Sequence, residues 1–256
     1  MQQVRAKKSL GQHFLKDLGV AKRIADTVSN GPVLEIGPGM GVLTQYLLQN
    51  PTIDLTAVEL DHESVEYLGK WYPELKVIEA DFLKLDLNSI YPTEEFSVIG
   101  NYPYNISSQI FFKVLEYKDR IPVCSGMLQK EVAERLASKP GKKAYGILSV
   151  LLQAWYDIEY LFEVDSQSFN PPPKVQSAVI RLTRNRRRSL DCDESLFKIV
   201  VKTAFNQRRK QMRNSLQQLA GKGNPILEEN IFTMRPEQLS IEEFVKLTKL
   251  LEKCRN

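Results

Sequence analysis

Four short strand-like runs punctuate the first hundred residues of this 256-residue chain: Pro32 to Ile36, Ile53 to Val58, Lys76 to Ala80 and Phe96 to Gly100. Segments of helical spacing precede, separate or follow them: Asp17 to Ser29, Leu43 to Leu48, Ser64 to Trp71 and Ser107 to Tyr117. Strands alternating with helices imply an α/β fold, a doubly wound and mainly parallel sheet. In such a sheet ligands bind beyond the carboxyl ends of the strands. The residues that follow each run are therefore where function is to be sought.

The pattern continues with a fifth strand, Pro122 to Met127, and a helix from Gln129 to Ala137. Ser138 to Gly146 carries turn residues and three lysines and reads as a loop, with a helix from Ile147 to Trp155 after it. Ile158 to Val164 and Gln176 to Thr183 read as strands. Their connection is too short for a crossover helix, so the pair is expected to be antiparallel. Met1 to Lys16 is read as an irregular arm. An arginine cluster, Arg184 to Ser189, marks the expected boundary between an α/β domain, residues 1–185, and a small helical domain, residues 186–256. From Leu196 the pattern is helical, with breaks near Gly221 to Pro225 and Met234 to Pro236.

Composition narrows the class. No apolar run approaches the roughly 20 residues of a membrane helix, and the basic start has no apolar segment behind it that would make a signal peptide. A cytoplasmic protein without membrane association is expected. Three cysteines, odd in number and far apart, read as reduced thiols. With His13 and His62 the only histidines, no zinc spacing exists and no metal is expected. Residues 186–256 hold 15 Lys and Arg against 9 Asp and Glu, whereas the remainder holds 20 against 22. A nearly neutral body with a basic tail points to a polyanionic partner; a solvated helical surface is the alternative.

Three strand ends suggest a cofactor. The first run ends in Gly37-Pro38-Gly39-Met40-Gly41, a turn whose glycines let the backbone approach a ligand closely. Its G-x-G-x-G spacing is not that of dinucleotide enzymes. Glu35, just before it, suits an amino-acid ammonium. Glu59 ends the second run, where a carboxylate accepts hydrogen bonds from ribose hydroxyls. Asp81 ends the third and is placed to accept from an adenine amine, with Phe82 beside it to pack on the ring. Taken singly, each acid also reads as a solvated strand end. Together they fit S-adenosylmethionine.

The fourth run leads into the tetrad Asn101-Tyr102-Pro103-Tyr104. An adenine amine is a poor nucleophile because its lone pair is delocalised into the ring. Two acceptors for its N–H groups favour a pyramidal nitrogen with the lone pair directed outward. Asn101 offers its side-chain oxygen; the Tyr102 carbonyl, fixed by Pro103, offers the second. Tyr104 offers a ring for base stacking. In Ser168 to Val175, three prolines stiffen a segment in which Phe169 either closes over the far face of a flipped base or is simply buried in a strand connector.

These segments resemble the small-subunit ribosomal RNA adenine N6,N6-dimethyltransferase family. The likeness runs from about Lys7 to Leu216. It includes Lys8 to Leu15, Glu35 to Gly41, Val58 to Asp61, Glu79 to Phe82, Asn101 to Ser108, Gln129 to Val132, Phe169 to Val175 and Ala204 to Lys210. The resemblance implies a Rossmann-like class I methyltransferase sheet with an antiparallel last strand and a small C-terminal helical domain. It implies cofactor contacts from His13, Leu15, Gly37, Glu59, Asp81 and Asn101, and handling of the base by Asn101, Tyr102, Pro103, Tyr104 and Phe169. His13 stands where asparagine is usual and Tyr102 where leucine is usual; Tyr102 is expected to act through its backbone carbonyl, so that its side chain matters less. The implied partner is small-subunit ribosomal RNA in an assembling subunit, bound by a monomer. Lys202, Arg208, Arg209, Lys210 and Arg213 on a helix, Lys139, Lys142 and Lys143, and Lys7 with Lys8 are the expected phosphate contacts. The rivals are a large-subunit enzyme of the macrolide-resistance type and a non-catalytic assembly factor on the same fold.

Overall fold

The structure is a computed structural model that describes residues 4, 7 and 10–254. The arm, expected to be irregular, contains a two-residue strand, β1 (Phe14–Leu15). So short a strand has no periodicity to betray it; it exists because a partner far along the chain pairs with it. Helix α1 (Leu18–Ala25) follows, capped by Asp17, whose carboxylate accepts from the Val20 N–H at 3.0 Å.

The βα units come next: β2 (Gly31–Ile36), α2 (Thr44–Leu47), β3 (Ile53–Glu59), α3 (His62–Trp71), β4 (Lys76–Glu79), β5 (Ser97–Asn101), α4 (Ser107–Glu116), β6 (Val123–Gln129), α5 (Lys130–Ala137) and α6 (Ile147–Gln153). Strands β7 (Tyr156–Val164), β8 (Phe169–Asn170) and β9 (Ser177–Arg184) complete the sheets. The main sheet has the order β4-β3-β2-β5-β6-β9-β7. Pairs β2–β3, β2–β5, β3–β4 and β5–β6 are parallel, and β9 runs antiparallel to β6. The doubly wound, mainly parallel sheet inferred from the runs is therefore present. The chain reverses its direction of winding between β2 and β5, the place where open sheets open a crevice. Strands β1 and β8 form a separate antiparallel pair, with Phe14 opposite Asn170 and Leu15 opposite Phe169.

The second half of β2 is buried residue after residue, as expected for a strand covered on both faces. The core beside it gathers Ile24, Val33, Leu43, Ala57, Leu68, Ile99, Met127 and Val179. Phe169 belongs to this cluster.

Two compact units are present: residues 1–133 with 157–184, and residues 134–156 with 185–256. The junction at 184/185 lies next to the expected boundary, but residues 134–156, assigned from sequence to the first domain, sort with the second. The cause is packing: α6 lies against α7 (Glu194–Asn206). Tyr145 meets Phe205 edge-on at 6.1 Å, and Phe205 stacks on Phe244 at 6.0 Å. Short helices α8 (Met212–Ser215) and α9 (Gln217–Ala220), three 3-10 turns and α10 (Ile241–Glu252) finish this unit. α10 carries a full capping box between Ser240 and Glu243. The stretch between α9 and α10 is less helical than its spacing predicts, because glycine, asparagine and proline interrupt it. Among the described residues no helix is long and apolar enough to cross a membrane.

Candidate active site

A cleft of about 210 Å³ opens at the carboxyl ends of β2, β3 and β5, entirely within the first unit. Its walls include the arm around His13 and Leu15, the glycine turn, Glu59, Asp81 and Phe82, and Asn101 to Ile106. The strand order brings these together. β2, β3 and β5 are neighbours in register, so their final residues share one edge.

The glycine turn leaves the floor open. Gly37 has φ +63°, and a Cβ placed there would meet no atom within 4 Å. That is room for a ligand, in a conformation that disfavours side chains. Beneath the turn, Glu35 is 1% exposed and accepts from the Thr44 hydroxyl at 2.7 Å. Burial pushes its carboxyl up to about 7; the Thr44 hydrogen bond opposes this and the nearby Glu59 charge adds to it. Among the described residues no cation pairs with it; a buried carboxylate gains from one, so a ligand ammonium fits beside it.

Glu59 is likewise raised by burial, while backbone N–H groups work against the rise. One oxygen accepts from the Gly39 N–H at 3.0 Å, and the other from the Leu60 and Asp61 N–H groups, both at 2.8 Å. The first oxygen keeps a lone pair free for a ribose hydroxyl. Glu59 thus also braces the glycine turn, a second task that strand-end position alone did not reveal. Asp81 follows β4; one of its oxygens accepts from the Leu83 N–H at 3.0 Å. Phe82 is buried against the cleft. An open backbone cradle, a carboxylate with spare acceptor capacity and a buried acid wanting a cation together fit S-adenosylmethionine.

The acceptor half is arranged differently. The Asn101 amide nitrogen donates to the His13 carbonyl at 3.2 Å. A carbonyl accepts only from the NH2 end, so the amide oxygen is the end left over, and it takes no hydrogen bond from the described residues. The Tyr104 hydroxyl is hydrogen-bonded to Ser177, and its ring stacks against His13 at 5.5 Å between centroids and 27° between planes. The His13 Nδ1–H donates to the Pro171 carbonyl at 2.9 Å. His13 therefore bridges the tetrad and the proline segment through its side chain.

Two expectations need correction. Phe169 is not brought to the cleft; at 1% exposure it packs in the core behind Leu15, to which β8 pairs it. Its ring forms no clamp with Tyr104, because the strand pairing turns it inward. The Tyr102 side chain is not incidental either. It is 1% exposed, its hydroxyl donates to the Ser125 carbonyl at 2.7 Å, and it meets Phe111 edge-on. Gly100 and Gly126 make space for it; a Cβ on Gly126 would come within 2.3 Å of the Gly100 carbonyl and 2.7 Å of the Tyr102 ring.

The expected phosphate contacts also sort differently. Lys7 is paired with Asp61 and, at 3.0 Å, with Glu63, so it is engaged within the protein; Lys8 lies outside the described residues. Helix α7 stops at Asn206, leaving Arg208 to Lys210 in turns and Arg213 on α8 rather than all on one helix. Arg208 donates to the Lys142 carbonyl at 3.4 Å, which joins two segments expected to act separately. Lys139, Lys142, Lys143, Arg209 and Lys210 are exposed on this second unit. Sequence reasoning missed Asp61, Ser177 and Thr44, whose partners lie far along the chain or carry no motif.

Comparison with known proteins agrees with the geometry. Residues 3–253 match the family model described as ribosomal RNA adenine dimethylase. The ribosomal RNA small subunit methyltransferase A of Parabacteroides distasonis is 66% identical, the match covering 99% of this chain and 96% of that protein. The protein of the same name from Bacteroides thetaiotaomicron is 60% identical over 99% and 97%. Among solved structures, a dimethyladenosine transferase from Plasmodium falciparum superposes with TM-score 0.79 at 25% identity, over 95% of this chain and 98% of that one. The 23S rRNA methyltransferase ErmE gives 0.65 at 27%, over 92% and 99%. The fold is that of the class I methyltransferases, and the chain belongs to the ribosomal RNA adenine dimethylase family.

Proposed function

We propose that this protein transfers methyl groups from S-adenosylmethionine to the N6 amines of two adjacent adenosines in a hairpin near the 3′ end of small-subunit ribosomal RNA. The product is N6-dimethyladenosine, made on an assembling small subunit by a cytoplasmic monomer. The observation that carries the reading is the Asn101 amide, whose nitrogen is engaged by the His13 carbonyl and whose oxygen is left as an acceptor at the cofactor cleft. The names of the whole-chain relatives favour the small-subunit substrate over the large-subunit one.

When bound, the cofactor supplies a sulfonium-activated methyl group. Glu35 would hold its ammonium, Glu59 its ribose and Asp81 its adenine amine. Asn101 Oδ1 and the Tyr102 carbonyl would accept the two N–H groups of the target amine and direct its lone pair toward the cofactor side of the cleft. Once alkylated, the amine would release its extra proton to water, so the site needs no strong base. Alignment supplies most of the rate, with acceptors poised for the positive charge that develops on nitrogen. Tyr104 stacks on the base once His13 gives way. Lys139, Lys142 and Lys143 with Arg208, Arg209, Lys210 and Arg213 hold phosphates on the second unit, contacts that weaken with salt.

The test is incubation with labelled cofactor and undermethylated small subunits, followed by mapping of the product by mass spectrometry. Two adjacent dimethyladenosines in the small-subunit RNA are expected. Label in large-subunit RNA, or no label, defeats the proposal.

A further inference from the structure

Helix α4 starts immediately beyond the acceptor tetrad and buries Ile110, Phe111 and Val114. Lys113 lies among them, only 7% exposed. Burying an ammonium is costly unless its charge is used. Its Nζ donates to the Leu83 carbonyl at 3.1 Å and to the Leu85 carbonyl, and it sits 5.5 Å from the centre of the Phe82 ring and 5.9 Å from that of Tyr117. The Leu83 and Leu85 carbonyls end a tight turn. Within it the Asp81 carbonyl accepts from the Lys84 and Leu85 N–H groups, and the Asp81 carboxylate from the Leu83 N–H. Carbonyls at the end of such a turn have no partners of their own, and a cation is well suited to them.

We infer that Lys113 is a positioning residue for the adenine end of the cofactor site: from α4, its ammonium holds the turn that presents Asp81 and Phe82 to the cleft. It touches no ligand. Tyr117, the residue that caps the end of α4, supports the same loop, donating to Asp86 at 2.9 Å and accepting from the Leu87 N–H at 3.2 Å. The other end of α4 holds the acceptor turn, where the Ser107 hydroxyl donates to the Tyr104 carbonyl at 3.3 Å. One helix thus sets both the loop that reads the cofactor's adenine and the loop that receives the target base. The inference rests on the proposed cofactor.

The readout is selectivity. Affinities for S-adenosylhomocysteine and for its inosine counterpart, which replaces the adenine amine by a carbonyl oxygen, are measured by calorimetry on the whole protein. Lys113→Met is expected to weaken S-adenosylhomocysteine about tenfold while leaving the inosine ligand within about threefold, so that discrimination shrinks. Lys113→Arg, which keeps the donors, restores discrimination. A residue that merely stabilises the fold would weaken both ligands alike or neither, and either result overturns the inference. Should Lys113→Met fail to fold, Lys113→Gln takes its place with the same expected and overturning results. A wild-type protein that does not bind S-adenosylhomocysteine would defeat the proposed function itself, which is a separate outcome.

Discussion

The two halves of the cleft are built on different terms. The cofactor half is made of strand ends: Glu35, Glu59 and Asp81 are set by β2, β3 and β4 and tied by backbone hydrogen bonds. The acceptor half is made of a turn, a short strand pair and a histidine. Its stacking ring is covered by His13, and its expected second ring, Phe169, is in the core. The first half is ready for its ligand as it stands. If Tyr104 stacks the target base as proposed, the second must open, which suits a base that arrives only after being unstacked from RNA.

The sharpest break between the halves is Asn101→Ala. If Asn101 orients the amine, methyl transfer falls by roughly 10²–10³, while RNA binding in a gel-shift assay is unchanged. Wild-type transfer by that variant would remove the proposed amine geometry. Phe169→Ala separates core from clamp. A buried phenylalanine truncated to alanine costs about 3–5 kcal/mol, to be read as a shifted urea midpoint. A residue that only clamps the base would lose transfer without losing stability.

Glu59→Ala tests the preformed half. It removes the ribose acceptor and also the brace on Gly39, Leu60 and Asp61. Cofactor affinity by calorimetry should fall roughly a hundredfold, the scale of one hydrogen bond to a charged group. Unchanged affinity would take Glu59 out of the site.

Glu35 gives a smaller effect with a definite sign. Its carboxyl is raised from 4.5 to about 7 by burial. The folded protein therefore holds the proton more tightly than the unfolded chain, and this residue's contribution to stability declines as pH rises from 4.5 toward 7. A ligand ammonium needs the ionised form. Cofactor affinity should drop below pH 7 by up to about tenfold per unit, with proton release on binding, and Glu35→Gln should flatten the profile. A flat wild-type profile would place the ammonium elsewhere.

The same contrast governs what could be read beforehand. Strand ends are local: an apolar run followed by an acid announces itself, and the parallel sheet then gathers successive ends. Phe169 and Tyr102 carry no such signal, because their burial depends on β1 pairing with β8 and on Gly100 and Gly126, all distant in sequence. The grouping of residues 134–156 with the second unit was hidden for the same reason, since spacing within α6 says nothing about α7. Lys7 was read as a phosphate contact because a basic arm beside an RNA enzyme invites it; the structure turns it inward.

That inward turn yields the smallest effect. Lys7 reaches Asp61 and Glu63 from the arm, and its backbone N–H donates to the Gln12 side chain at 2.8 Å. Asp61 is pushed up by burial, but Lys7 and the Ser64 hydroxyl outweigh this and hold it low. The pair ties the arm that carries His13 to the strand end that carries Glu59. Lys7→Met should weaken cofactor binding about threefold at low salt, since a half-exposed ion pair contributes little. The wild type should lose that advantage as salt rises, converging on the variant. An arm that binds RNA instead would show the opposite pattern, with cofactor affinity unaltered by Lys7→Met and the salt dependence of RNA binding reduced.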